Sequence, residues 1–88
     1  MNIQVLAVYD QAAEAFGRPF FVASVGLGLR SFIDECNRED ANNAMYFHSS
    51  DYSLYHLGSF DDATAAFELK VVPERLISGD SARRKSDV

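Results

Sequence analysis

The chain has 88 residues, enough for one modest hydrophobic core and too few for two. Hydrophobic residues make up 48% and charged residues 24%, as in an ordinary globular domain, so general disorder is excluded. No apolar run reaches the ~18 residues that span a bilayer, and residues 1–10 lack the basic flank of a signal peptide. A single cysteine, Cys36, excludes an internal disulfide and a zinc finger. The sequence predicts a cytosolic domain without cofactor or metal.

The charge is unevenly distributed along the chain. The formal net charge is −5, from 13 acids and 8 bases. Residues 1–77 contain eleven of the acids and only five of the bases, whereas residues 78–88 contain two acids and three consecutive bases. An acidic body argues against the broad basic surface of nonspecific DNA-binding proteins. Because residues 78–88 offer almost no apolar side chain for docking, we expect one domain over 1–77 and a disordered, weakly basic tail over 78–88.

The first half of the chain predicts two strands and a helix. Apolar and β-branched residues over 2–9 are typical of a strand, and a short connector over 10–17 leads to a second strand over 19–23. Ser24 is a typical N-cap for the segment 25–37, where apolar residues recur at helical spacing. This segment is predicted to be the single amphipathic helix.

The second half predicts a long loop and a hairpin. Residues 38–50 are rich in Asn, Asp and Ser, which favour turns. Strand-forming residues over 51–60 and 67–72 flank a polar turn, and Pro73 is expected to end the last strand. The predicted fold is therefore α+β: a four-stranded antiparallel sheet with one amphipathic helix, in the chain order ββαββ.

Both faces of the predicted sheet are apolar. Strict alternation places Tyr52, Leu54 and Phe60 on one face of the third strand and Tyr55 and Leu57 on the other. One helix covers one face only, so the other needs cover from the long loop and connector, from a second copy, or from unpaired nucleobases stacked on aromatic rings. These three alternatives stay open. For self-association, the predicted interface residues are Leu54, Leu57, Phe20 and Phe21.

No group of residues predicts catalysis. The stretch Gly26–Ser31, GLGLRS, has only two glycines of a phosphate-binding loop, and Cys36 lies on the inner side of the predicted helix. Asp61 and Asp62 lie in the predicted hairpin turn, where aspartate accepts hydrogen bonds from the local backbone. We therefore expect a protein that is not an enzyme.

Two segments carry a family resemblance. AFGRPFF at residues 15–21 and DYSLYHLGSFDD at 51–62, separated by one helix, resemble the small non-structural protein of gokushovirus-type microviruses, which are phages with single-stranded DNA genomes. The similarity covers roughly residues 5–72. Members usually have glycine where this chain has Ala65, which predicts either another loop geometry or a strained positive φ at Ala65.

The resemblance implies a non-structural phage protein of the kind described as DNA-binding or packaging-associated, and it brings no catalytic residues. The leading hypothesis is a non-enzymatic protein of the infected bacterium's cytoplasm that binds the single-stranded genome during replication or packaging. The alternative is a homo-oligomeric module that binds a capsid, replication or host protein. No membrane partner is expected. The residues predicted to contact DNA are Arg83, Arg84, Lys85, Arg18, Tyr52 and Tyr55.

Overall fold

The structure, a computed structural model, describes residues 1–86 and the side chains of residues 1–84. One antiparallel sheet carries helices on one side, so the predicted α+β class and the chain order ββαββ are confirmed, with one additional short strand. The elements are β1 (Asn2–Asp10), β2 (Ala15–Phe16), β3 (Phe20–Val22), α1 (Val25–Cys36), α2 (Ala44–Phe47), β4 (Tyr52–Asp61), β5 (Ala66–Ser78) and α3 (Gly79–Ser86).

The central strand of the sheet is β1. It pairs with β4 along its whole length, and β4 pairs with β5, which forms an outer edge. The other side of β1 pairs with two short strands, β3 against residues 4–6 and β2 against residues 9–10. The additional strand β2 lies inside the predicted connector, because Asp10 Oδ1 accepts hydrogen bonds from the Ala12 and Ala13 amides and folds the chain back.

A β-bulge in β4 changes which side chains share a face. Val5 pairs with Gly58 and Leu6 with His56, so Leu57 is an extra residue on β4. Beyond it the alternation is reversed, because one inserted residue moves every later side chain to the opposite face. Phe60 therefore lies on the face of Tyr55, and its predicted placement with Leu54 is wrong.

The prediction that Pro73 ends the last strand is also wrong. β5 continues to Ser78, although its pairing with β4 jumps from Leu69 to Glu74. The intervening residues 70–73 form what we call the β5 bulge. Proline is tolerated there because an edge strand at a bulge does not need that amide for the ladder.

Helix α1 covers one face of the sheet, which we call the helix face. Its Phe32 and Cys36 are buried against Leu6 of β1 and Leu54 of β4. Gly28 permits this close approach, because a Cβ atom there would overlap the Leu6 side chain. The helix begins after Ser24, whose Oγ accepts a hydrogen bond from the Leu27 amide, so the predicted N-cap is confirmed.

The segment predicted as a detached tail is a helix over residues 79–86. Ala82 of α3 is fully buried in the core cluster with Cys36 and Ile77. Asn37 Nδ2 donates a hydrogen bond to the Ala82 carbonyl at 3.1 Å and so ties α1 to α3. The predicted disorder is therefore wrong for residues 79–86, because one small side chain suffices to dock a short helix against α1. Asp87 and Val88 lie outside the described residues.

The predicted loop over 38–50 contains the short helix α2 and is anchored by Asn43. This buried side chain donates hydrogen bonds to the Glu35 and Arg38 carbonyls, both at 2.8 Å, and accepts one from the Met45 amide. One amide thus satisfies backbone groups at the end of α1 and at the start of α2. The loop stays on the helix side, so the opposite face of the sheet, which we call the open face, has no helix over it.

We predict that Ala65→Gly stabilises the protein. Ala65 lies in the β4–β5 turn with φ 61°, so of the two alternatives for this residue the strained positive φ is the one present. An L-residue with this positive φ destabilises the folded state by ~1–2 kcal/mol, and glycine avoids this strain. Part of the stabilisation is lost because glycine has more conformational freedom in the unfolded chain. Urea unfolding should show about 0.5–1 kcal/mol more stability. Ala63→Gly, in the same turn without a positive φ, is the control and should not stabilise.

We predict that Ala82→Asp destabilises the protein by about 2–4 kcal/mol, because a carboxylate would replace a fully buried methyl group. Thermal unfolding followed by circular dichroism measures the loss. Ala63→Asp introduces the same charge at an exposed turn residue and should change stability by less than about 0.5 kcal/mol. Equal effects of the two substitutions would show that α3 contributes nothing to the core.

Candidate functional site on the open sheet face

The open face is apolar. Among the described strand residues, cross-strand register places one charged residue, Arg75, on this face and no Asp or Glu, although the chain has 13 acids. Glu68 and Glu74 of β5 pair with Ser59 and His56 and so project to the other side. The strand residues of the open face are Ile3, Val5, Ala7, Tyr9, Phe16, Phe21, Ser53, Tyr55, Leu57, Phe60, Phe67, Leu69 and Arg75.

Three rings form what we call the aromatic end of this face: Tyr9, Phe16 and Tyr55. The Phe16 ring lies edge-on to both tyrosines, with centroids 4.9 Å from Tyr9 and 5.1 Å from Tyr55. Phe16 remains 45% exposed. Because three strands each supply one ring and the rings support one another, the aromatic end is a pre-arranged stacking surface.

Two arginines accompany the aromatic end. Arg75 is the cross-strand partner of Tyr55, and Arg18 follows Phe16 by two residues in the link to β3. Both are exposed. Within the described residues, no carboxylate forms an ion pair with either guanidinium. Arg75 is therefore available for an anionic ligand beside the exposed rings, and Arg18 is an exposed cation two residues from Phe16 in the chain.

The three consecutive bases proposed to contact DNA are arranged differently. Arg83 lies with its guanidinium carbon 4.1 Å from the Tyr46 ring centroid and donates a hydrogen bond to the Tyr46 carbonyl at 2.8 Å. Arg84 pairs with Asp80 at 2.8 Å, one helical turn away. The side chain of Lys85 lies outside the described residues. The structure thus uses Arg83 to hold α3 against α2 and does not present these bases on a free tail.

Three other residues singled out from sequence lie on the helix face. Leu54 is fully buried in the core, so it is not available to a partner, and Phe20 packs against the same cluster. Tyr52 also packs there, and burial, followed by the charges of Asp10 and Asp51, raises the pKa of its phenol. Because of the alternation along β3 and β4, these side chains point away from the open face, and Tyr52 and Tyr55 lie on opposite faces, as the alternation predicted.

The second half of the open face is an apolar groove with a volume of about 440 Å³. It contains Leu57 and Phe21, both predicted interface residues, and is lined by Val5, Pro19, Phe21, Leu57, Phe67 and Leu69. Phe60 braces it, with its ring centroid 5.7 Å from Phe21 and 4.9 Å from Phe67. We call this surface the groove.

Sequence reasoning missed Phe16, Arg75, Phe67 and Leu69 as surface residues. Phe16 was missed because two residues, Ala15 and Phe16, are too few to predict a strand within the expected connector. Arg75 was missed because the last strand was expected to end at Pro73. The alternation of Phe67 and Leu69 was visible within the predicted strand. Their contact with Phe21 was not, because it joins two strands that do not pair with each other.

A polar hollow on the helix face, next to the β5 bulge, contains several polar groups that pair with one another. His56 Nε2 lies 2.8 Å from Gln4 Oε1 and 3.0 Å from the Gly58 carbonyl oxygen. Lys70 Nζ lies 3.3 Å from Glu74 Oε1 and spans the β5 bulge. These contacts stabilise the bulge and leave the open face as the better candidate site.

The described part of the chain gives little support for a reactive cysteine or for a metal-binding site. Cys36 is fully buried, and burial raises the pKa of its thiol to about 11. Among residues 1–84, no three His, Cys, Asp or Glu side chains cluster as metal ligands. No helix within the described range is long and apolar enough to cross a membrane.

Comparison with known proteins identifies a phage protein. The family model described as Phage ORF5 protein matches residues 3–82, which contain β1 through the buried Ala82 of α3. The chain belongs to the Phage ORF5 protein family. No curated protein and no solved structure gives a significant match.

We predict that Cys36 is unreactive in the folded protein. With a pKa of about 11, roughly one thiol in a thousand is ionised at pH 8, and the buried sulfur is inaccessible. Labelling with a disulfide-exchange reagent at pH 8 should be at least about 100-fold slower in native protein than in denaturant, where the pKa returns to ~8.5. Similar rates would show that α1 opens readily from the sheet.

Proposed function

We propose that this phage protein is a non-enzymatic, non-structural protein of a gokushovirus-type microvirus that binds single-stranded genomic DNA through the aromatic end. In this proposal it acts in the cytoplasm of the infected bacterium during replication or packaging. Family membership supports the phage origin, and the segments AFGRPFF and DYSLYHLGSFDD support the narrower assignment.

The observation that carries the proposal is the pairing of exposed rings with unpaired arginines on a carboxylate-free face. Unpaired bases stack on aromatic rings with little sequence preference, and arginine adds a phosphate contact or stacks on a base. Phe16 is exposed beside Tyr55, and Arg75 lies next to Tyr55 across the β4–β5 ladder. A single strand fits this surface better than a duplex, because paired bases cannot stack on the rings.

The net charge of −5 limits the strength of such binding. The described strand acids lie on the helix side of the sheet or at strand ends, and the net negative charge repels phosphate at low salt. We therefore propose weak, sequence-tolerant binding in which local contacts at the aromatic end offset the long-range repulsion. Several copies along one strand would add their contacts.

The groove favours a second mode of action. Its lining is apolar and carries no cation, so it suits a protein surface better than a phosphate backbone. In this alternative, the chain is a homo-oligomeric module that binds a capsid, replication or host protein, and the groove suits the contact between its copies. The two modes use different ends of the open face.

The DNA proposal predicts a specific salt dependence. Arg18 and Arg75 together would neutralise about two phosphates, which gives a salt slope of about −1.4 for a single strand. Fluorescence anisotropy with a labelled single-stranded oligonucleotide should show affinity about sevenfold lower after a fourfold increase in salt. Arg75→Ala should weaken binding and reduce the slope to about −0.7. Arg84→Ala, whose cation pairs with Asp80, is the matched control and should change neither value.

The stacking part is tested separately by Phe16→Ala, which should lower affinity about tenfold without changing the slope. Phe47→Ala is its control, because Phe47 is 57% exposed on α2, away from the open face. No binding of the single strand by the wild-type chain at low salt would refute the proposal. Equal losses from the two phenylalanine variants would refute the aromatic end as the site.

A further inference from the structure

We infer that a second copy of this chain covers the groove, so that two grooves meet in a homodimer and the aromatic ends stay outside the contact. The inference concerns the groove residues and does not depend on DNA binding at the aromatic end. Three observations carry it: the preformed shape of the groove, the apolar area that it exposes, and the distribution of charge around it.

The groove is formed by rings that hold one another in place. Phe60 contacts both Phe21 and Phe67, and the Phe21 and Phe67 centroids are 6.3 Å apart. Phe21 remains 52% exposed and Phe67 56% exposed. Because the rings are already ordered, a partner that covers them loses little side-chain entropy on binding.

The exposed apolar area is close to what a stable dimer needs. Leu69 is 63% exposed, and Pro19 at the edge of the groove is exposed as well. With half of each Phe21 and Phe67 ring, these side chains expose roughly 300–400 Å² of apolar surface. Monomers rarely expose more than a few hundred Å² in one apolar patch. A standard interface takes ~600–1,000 Å² from each partner, of which a little over half is apolar.

The charge distribution favours contact between two copies through the groove. At −5 per chain, two copies repel each other wherever their acidic sides meet. The described strand residues of the open face include no Asp or Glu, so two grooves can meet without bringing strand carboxylates together. Packing the groove halves of the two sheets ~10 Å apart lets the phenylalanine and leucine side chains interdigitate and places the helices on the outside.

Light scattering coupled to size exclusion, over micromolar concentrations of the full chain, tests the inference. The wild type should have the mass of a dimer. Phe67→Asp should raise the dimer Kd at least about 100-fold, because each copy would bring a carboxylate into the groove. Phe47→Asp is the matched control, since Phe47 is 57% exposed on α2 and lies outside the groove. It should remain a dimer.

Salt separates this association from DNA binding. Raising the salt concentration screens the repulsion between the acidic copies and should tighten the dimer, whereas it weakens contact with phosphate. Circular dichroism should show that Phe67→Asp keeps the native fold, because the ring is more than half exposed. A folded Leu69→Asp variant provides the second test at a residue that is even more exposed.

Three results would overturn the inference. They are a wild type that stays monomeric throughout, a Phe67→Asp variant that dimerises as tightly as the wild type, and an assembly larger than a dimer, because two facing grooves close on each other. Loss of single-strand binding with an intact dimer would instead count against the proposed function alone.

Discussion

Packing of the helices on one side of the sheet is the constraint on which the rest of the structure depends. Leu6 and Leu54, the fully buried leucines of the two central strands, meet Phe32 and Cys36 of α1, and Ala82 closes the same cluster. A chain of this length supplies helices for one side only. The apolar strand residues on the opposite side therefore remain exposed. Both candidate functions of the molecule use this exposed surface.

The extra residue Leu57 decides what the open face contains. Without a bulge, Phe60 would point toward the helices and the groove would lack the ring that joins Phe21 to Phe67. With the bulge in place, aromatic side chains lie at both ends of the open face. The bulge also leaves Val5 opposite Gly58, which has no side chain. The groove is therefore deeper at this pair than at the aromatic rings that flank it.

Segregation of charge makes this face a binding surface of defined chemistry. Among the described residues, the acids occupy the helices, the loops and turns, the ends of β1 and β4 and the helix-side positions of β5, whereas Arg75 is the charged strand residue of the open face. An anionic polymer with exposed bases suits the aromatic end, and an apolar, carboxylate-free surface suits the groove. The two halves differ because the arginines accompany the aromatic end, where Arg75 is paired with Tyr55. One small sheet can thus serve nucleic acid and self-association at separate places.

The sequence by itself determined the elements whose signals are local: the alternation of β1, the Ser24 cap and the bounds of α1, which ends at Cys36, one residue before its predicted end. The family resemblance indicated a phage protein, and it offered the positive φ of Ala65 as one of two alternatives. Only the tertiary structure decided the face of Phe60, the passage of β5 beyond Pro73 and the docking of α3. Each of these depends on a partner distant in sequence: the register against β1, the edge position of β5 and the space beside Cys36 that Ala82 fills. Local propensity carries no information about such partners, so the aromatic end and the groove emerge only when the strands are assembled.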